Sequence, residues 1–260
     1  MSGPGTTAGA PAHLRETNPI LVRYGHFLFK YRKFVLPTAS LAVLLGGKPR
    51  LFLGSESSDR ALDALGILFA FGGQALRAAV IGLAYIKRGG ESGTIHADRL
   101  VVEGLFAHSR NPLYVGNMLE FTGLCLILNT PAAYLFGIPF FALAYYSIVL
   151  AEEDFLRAKF GAVFEAYRRR VNRFIPSPRG LSATLKAMEF NWKRLVRKEY
   201  GTTFVWLTTL LALLGWESCV FRGWQASLST FRLLGSFWLL ILLGYLAARL
   251  LKKTGRLGRT

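Results

Sequence analysis

The sequence predicts an all-α protein, a polytopic membrane bundle of about six transmembrane helices. Hydrophobic residues fill 52% of the 260 positions. They come in blocks, and roughly 20 apolar residues in helix cross a bilayer core about 30 Å thick. Charge is lopsided, with 32 Lys and Arg against 15 Asp and Glu. If six blocks span, 26 of those 32 basic residues fall on one side, which the preference of Lys and Arg for short cytoplasmic loops marks as cytoplasmic. Both termini are then expected in the cytoplasm, and the net charge of +17 reports topology rather than an affinity for nucleic acid.

Taken in order, residues 1–19 are rich in Gly, Ala, Pro and Thr without an apolar core, so no signal peptide is expected, and residues 1–33 read as a flexible basic tail. The first block, 34–53, is interrupted by Pro37 and Lys48 and is the weakest; as a re-entrant helix it would leave the N-terminus on the other side. The second, 62–86, contains Gly72, Gly73 and Arg77. The third, 113–129, and the fourth, 132–151, are joined by little more than Asn129, Thr130 and Pro131, a tight hairpin whose open ends return to one face. Small residues recur within the blocks, as in helices that pack closely in lipid.

Between 152 and 199 two helical pieces are expected. Leu156, Phe160, Phe164 and Tyr167 recur at helical spacing until Pro176 and Pro178 end the first. In the second, Leu181, Leu185, Met188, Trp192 and Leu195 form one stripe, which suits a helix in the headgroup plane or one packed on the protein's own cytoplasmic face. Blocks five, 202–221, and six, 231–251, complete the count. The expected division is a tail 1–33, a membrane core 34–180, and a segment 181–260 with the amphipathic helix and the last two spans.

Cys125 and Cys219 stand alone in apolar stretches, and His13, His26, His96 and His108 lack ligand spacing, so no metal centre is expected. One open end of the hairpin carries Ser109-Arg110-Asn111-Pro112-Leu113-Tyr114, the other Glu152-Glu153. Equal helical rise brings these ends to similar depth, with room for a cationic ligand between them. Asn111 followed by Pro112 is also ordinary helix-start chemistry. Arg77 and Glu120 fall in mid-span, which is costly unless they pair or face a cavity. Gln74 shares a helix face with Arg77, and Asn117 with Glu120, so these faces are expected to meet, as a substrate pocket or as a structural ion pair.

From Leu100-Val101-Val102-Glu103-Gly104-Leu105-Phe106, through Ser109-Arg110-Asn111-Pro112-Leu113-Tyr114-Val115-Gly116, the hairpin, Glu152-Glu153 and Phe160-Gly161 to Phe174-Ile175-Pro176, the chain resembles the isoprenylcysteine carboxyl methyltransferase and phospholipid methyltransferase superfamily. The resemblance covers about 60–178 and implies an integral membrane enzyme with a cytoplasmic pocket for S-adenosylmethionine and a lipid or lipid-linked acceptor. It assigns cofactor binding to Asp98, Arg99, Leu100, Val101, Phe106, Asn111, Pro112, Leu113, Tyr114, Glu152 and Glu153, with Glu152, Glu153 and Arg110 as catalytic candidates. Three departures stand out. Asn111 replaces the usual histidine of Arg-His-Pro; Phe106 stands where tyrosine is common; and Ser147, Ile148 and Val149 occupy the region of a substrate arginine in the isoprenylcysteine branch, which argues against an isoprenylcysteine carboxylate.

The chemistry agrees with the resemblance. A sulfonium and an ammonium suit paired carboxylates, Arg110 suits the cofactor's carboxylate, and the rings of Tyr114 and Phe106 suit the adenine or the sulfonium. Methyl transfer to an aligned nucleophile needs no Ser-His-Asp triad, though an amine acceptor would have to lose a proton, which Glu152 or Glu153 would take. An NADPH-dependent membrane reductase of steroids or enones, and a nonenzymatic scaffold or transporter subunit, are the alternatives. The bilayer is the expected partner and nucleic acid is not; the sequence carries no sign of oligomeric state.

Overall fold

The computed structural model describes residues 18–83 and 95–258, and every regular element among them is helical. The tail through residue 17, and Lys87 and Arg88 of the basic face, lie outside the described residues. The helices are α1 (Pro19–Leu45), α2 (Glu56–Leu83), α3 (Pro112–Leu128), α4 (Ile138–Arg170), α5 (Leu181–Lys186), α6 (Trp192–Arg222) and α7 (Leu228–Lys253). Single turns at Phe52–Gly54, Gly104–Ala107 and Ala133–Gly137 connect them. The polytopic helical bundle expected from the sequence is what forms.

Four helices are long and apolar enough to cross a membrane: α2, α4 with the turn before it (Ala133–Arg170), α6 and α7. α3 is apolar, but its 17 residues rise only about 25 Å. α1 is long, but Arg23, Lys30, Arg32 and Lys33 fill its first half with charge.

α1 also corrects two boundaries. The Asn18 side chain accepts the Ile20 N–H at 2.9 Å, and Pro19 takes the first helical position, where no donor is needed. Helix therefore starts at Pro19, so residues 20–33 are not a flexible tail, and it ends at Leu45 rather than running on to 53. Leu28 and Phe29 order this stretch by packing on Ala144 and Ile148 of α4. α1 runs antiparallel along α4, with Gly25 against Ser147 and Gly46 near Ala132.

The hairpin forms as expected. α3 stops at Asn129, which takes the left-handed conformation (φ 45°) and donates its N–H to the Cys125 carbonyl. Thr130 Oγ1 then accepts the Ala133 N–H at 3.2 Å and starts the next helix. That helix does not stop near 151: it continues to Arg170, broken once at Gly161, whose φ of 51° and ψ of −125° suit glycine alone.

The amphipathic helix expected from residue 181 onward is in fact two pieces. α5 ends at Lys186, and Asn191 caps a new helix by accepting the Arg194 N–H at 2.8 Å. α6 then runs without interruption from Trp192 into the membrane-length segment. The intervening loop docks on the protein, with the Asn191 N–H on the Gly82 carbonyl at 2.8 Å and Met188 against Gly104. Trp192, expected in the apolar stripe, is exposed.

The main core joins Phe121, Leu124 and Leu128 of α3 to Phe141 of α4 and to Trp206, Leu210 and Leu213 of α6. α7 packs on α6 and leaves Leu239, Leu240 and Leu243 exposed, as a lipid-facing helix does. At the opposite ends of α2 and α6 from the cavity described below, Asp59, Asp63 and Glu217 converge, with ligand atoms within 4.8 Å of one another. The spacing of Cys and His in the sequence gave no sign of this group.

Candidate functional site

α2 and α3 meet through glycines. A Cβ on Gly116 would fall 2.6 Å from Arg77 Cγ and 2.9 Å from the Gly73 carbonyl oxygen, and one on Gly73 would fall 2.8 Å from the Glu120 nitrogen. Backbones that close bring the polar face of α2 onto the polar face of α3. Arg77 Nε lies 3.4 Å from Glu120 Oε1, and Arg77 Nη1 donates to the Asn117 side-chain oxygen. The two faces read from the sequence do meet.

The open ends of the hairpin touch as well. Arg110 donates to Glu153 Oε1 from Nε (3.1 Å) and Nη2 (2.8 Å), and its Nη1 serves the carbonyls of Arg168 and Val171. Arg173 closes the other side of Glu153 from Nε (3.1 Å) and Nη2 (2.8 Å). Burial works against charge on Arg173, yet the hydrogen bonds and charge of Glu153 hold its pKa above the usual arginine value. Asn111 begins α3 as expected, but its side chain caps nothing: it donates to the Arg173 carbonyl at 3.2 Å. The Ser109 hydroxyl donates to the Phe174 carbonyl at 3.1 Å, and the Tyr167 hydroxyl to that of Phe106 at 2.7 Å. Residues 106–111 are thus stitched to 167–174, and the turn at Gly161 sends the chain back to make this possible.

Glu152 is placed differently from Glu153. Tyr114 donates to its Oε1 at 2.7 Å, and no Lys or Arg among the described residues forms an ion pair with it. Tyr114 also packs against Tyr145, with ring centroids 5.3 Å apart.

These groups surround one cavity of about 1100 Å³. Every site residue named from the sequence lines it: Asp98, Arg99, Leu100 and Val101; Phe106; Arg110 through Tyr114; Glu152 and Glu153; and Arg77, Asn117 and Glu120. Four residues not named from the sequence bear on the site. Arg32, counted with the tail, reaches the wall from α1, and Tyr145 and Trp206 line it from α4 and α6. Glu199 stands behind Arg77 and accepts from its Nε at 3.0 Å and its Nη2 at 2.5 Å. For Arg32, helical spacing from Leu28 and Phe29 was the available signal; for Glu199 there was none.

The cavity's limits are set by packing. α1 lies on α4, while α6 lies on α2, α3 and α7, and no packed interface among the described residues joins α1 to α6. Leu41 of α1 and Val205 of α6 line the cavity and are both exposed.

A bundle with four membrane-length apolar helices around a large cavity lined by buried ionisable side chains has the architecture of an integral membrane protein. Residues 64–163 match the family model described as phospholipid methyltransferase, so the chain carries a domain of the isoprenylcysteine carboxyl methyltransferase and phospholipid methyltransferase family, a family of membrane methyltransferases. The match begins within α2 and ends two residues beyond Gly161; it leaves out Arg32, Arg173, Glu199 and Trp206. No curated protein and no solved structure matches the chain.

Proposed function

We propose that the protein transfers a methyl group from S-adenosylmethionine to a membrane-embedded lipid or lipid-linked acceptor. The observation that carries this reading is Glu152: a carboxylate in the cavity wall, oriented by the Tyr114 hydroxyl at 2.7 Å and without an ion-pair partner among the described residues. A cavity of about 1100 Å³ exceeds the roughly 300–1,000 Å³ of a pocket for one drug-sized ligand, which suits a cofactor and an acceptor head group together.

The residues present fit such a cofactor. Bound there, it supplies a methyl carbon already activated by a sulfonium. Glu152 offers the negative charge for the cofactor's cationic groups, and Phe106, Tyr114 and Tyr145 offer ring faces. Most of Arg110's donors are engaged by Glu153 and by carbonyls, so Arg110 and Glu153 frame the site rather than hold a ligand. Arg32, for which no ion pair is found among the described residues, is the cation available for the cofactor's carboxylate. With an amine acceptor, Glu152 takes the proton released when the new C–N bond forms.

The acceptor enters through the opening between α1 and α6, where Leu41 and Val205 face hydrocarbon. The basic face, with both termini, is cytoplasmic by the charge distribution.

Isothermal titration of the detergent-purified protein with S-adenosylhomocysteine tests this reading. Binding is expected in the parent and at least about tenfold weaker in Glu152→Gln, the effect of one charge-assisted contact. No heat with the parent overturns the proposal, and heat with NADPH instead would favour a reductase.

A further inference from the structure

Arg77 has two carboxylates to choose from, and its hydrogen bonds are divided unevenly between them. Nε and Nη2 both donate to Glu199 Oε2, at 3.0 and 2.5 Å, and Nη1 donates to Asn117. Glu120 lies at ion-pair distance, 3.4 Å from Nε, but its Oε1 is buried and receives no hydrogen bond. Glu120 is only 7% exposed and lines the cavity. A buried carboxylate oxygen without a donor costs about 1–3 kcal/mol or more, so such an atom in a cavity wall is a place for a ligand's donor.

We propose that Glu199 is a positioning residue for the acceptor end of the cavity: it holds Arg77 so that Glu120 is left to receive an N–H or O–H of the acceptor's head group. Glu199 is 2% exposed and sits on the face of α6 that also carries Trp206, Leu210 and Leu213. Trp206 Nε1 donates to Gln74 Oε1 at 2.8 Å, one turn from Arg77 on α2, which sets the height of α6 against α2 and so brings Glu199 to the guanidinium. α6 lies outside the family-matched segment. The inference rests on the methyltransferase reading for the identity of the acceptor, but not for the geometry.

The test uses the full chain in lipid nanodiscs, titrated with hexylamine and with hexyltrimethylammonium, which have like charge and chain but differ in N–H donors. The parent is expected to prefer hexylamine about tenfold, the worth of one hydrogen bond to a charged group. Glu120→Gln and Glu199→Gln are each expected to abolish the preference, the second because Arg77 swings onto Glu120. Glu199→Asp is expected to keep part of it. The double variant Arg77→Gln/Glu199→Gln, which removes the competing guanidinium together with its own carboxylate and leaves Glu120 to the ligand, is expected to restore it. S-adenosylhomocysteine affinity is expected to stay within about twofold in Glu199→Gln, about 0.4 kcal/mol.

A preference that survives Glu199→Gln overturns the proposal. So does its loss together with cofactor affinity and melting temperature without recovery in the double variant, which marks a purely structural bridge. Titrations are run with and without S-adenosylhomocysteine; if that molecule does not bind, the methyltransferase reading falls while the probe comparison still decides the role of Glu199.

Discussion

Glu152 and Glu153 are neighbours in sequence and opposites in environment. On a helix, adjacent residues point about 100° apart, so one carboxylate turns to Tyr114 and the cavity and the other to Arg110 and Arg173. The pair was legible in the sequence as one acidic group; the division of labour was not. It predicts unlike losses. Arg110→Ala leaves Glu153, 3% exposed, with a single partner, and is expected to cost about 3–5 kcal/mol in chemical denaturation. Arg173→Ala is expected to cost less, because that side chain is 24% exposed and water replaces part of what it gives. Arg77 and Glu120 were expected to meet because charge in mid-span must be compensated, and they do. Glu199 gave no such warning, since a glutamate among Lys193, Arg194, Arg197 and Lys198 looks like one more charge on a solvated face.

Elements were read best where their ends carry local chemistry. The α3–α4 turn was placed to within one residue, because Asn129, Thr130 and Pro131 punctuate two long apolar runs. Boundaries failed where tertiary contacts override composition: α1 is helical through its basic half because Leu28 and Phe29 are buried on α4. Two element-scale predictions rest on glycines, one on a close backbone approach and one on a positive φ. Gly116→Val forces α3 off α2 and is expected to cost about 1–3 kcal/mol or more, with a parallel loss of acceptor turnover as Arg77 and Glu120 separate. Gly161→Ala meets no steric neighbour but must hold φ at 51°, an expected cost of about 1–3 kcal/mol. Cofactor affinity in the titration above is expected to fall with it, because the turn carries Tyr167 and the Val171 carbonyl back to Phe106 and Arg110.

For the whole molecule, topology and site are one problem. The loops at Ser109 and Pro178 and the start of α6 lie at one end of the bundle, where the Ser177 N–H donates to the His108 carbonyl and the Asn191 N–H to that of Gly82, while Arg50, Asn129 and the end of α6 at Glu217 lie at the other. With Cys125 and Cys219 replaced by alanine, Arg179→Cys is expected to react with an impermeant maleimide only in inside-out vesicles, and Gln225→Cys only in right-side-out ones. The reverse pattern would invert the orientation and with it the side from which a cofactor enters.

By itself the sequence determined the class of fold, the hairpin and the meeting of Arg77 with Glu120, because apolar blocks, turn residues and charged residues in mid-span are constrained by lipid whatever their neighbours; the rest of the cavity wall that was named followed from the family resemblance. Only the tertiary structure decided which carboxylate is paired and which is open, that α1 and α6 wall the cavity, and that Arg77 belongs to Glu199 before Glu120. Those outcomes depend on a few ångströms of approach between segments that are distant in sequence, 38 residues for Tyr114 and Glu152 and 122 for Arg77 and Glu199, and no spacing along the chain encodes them.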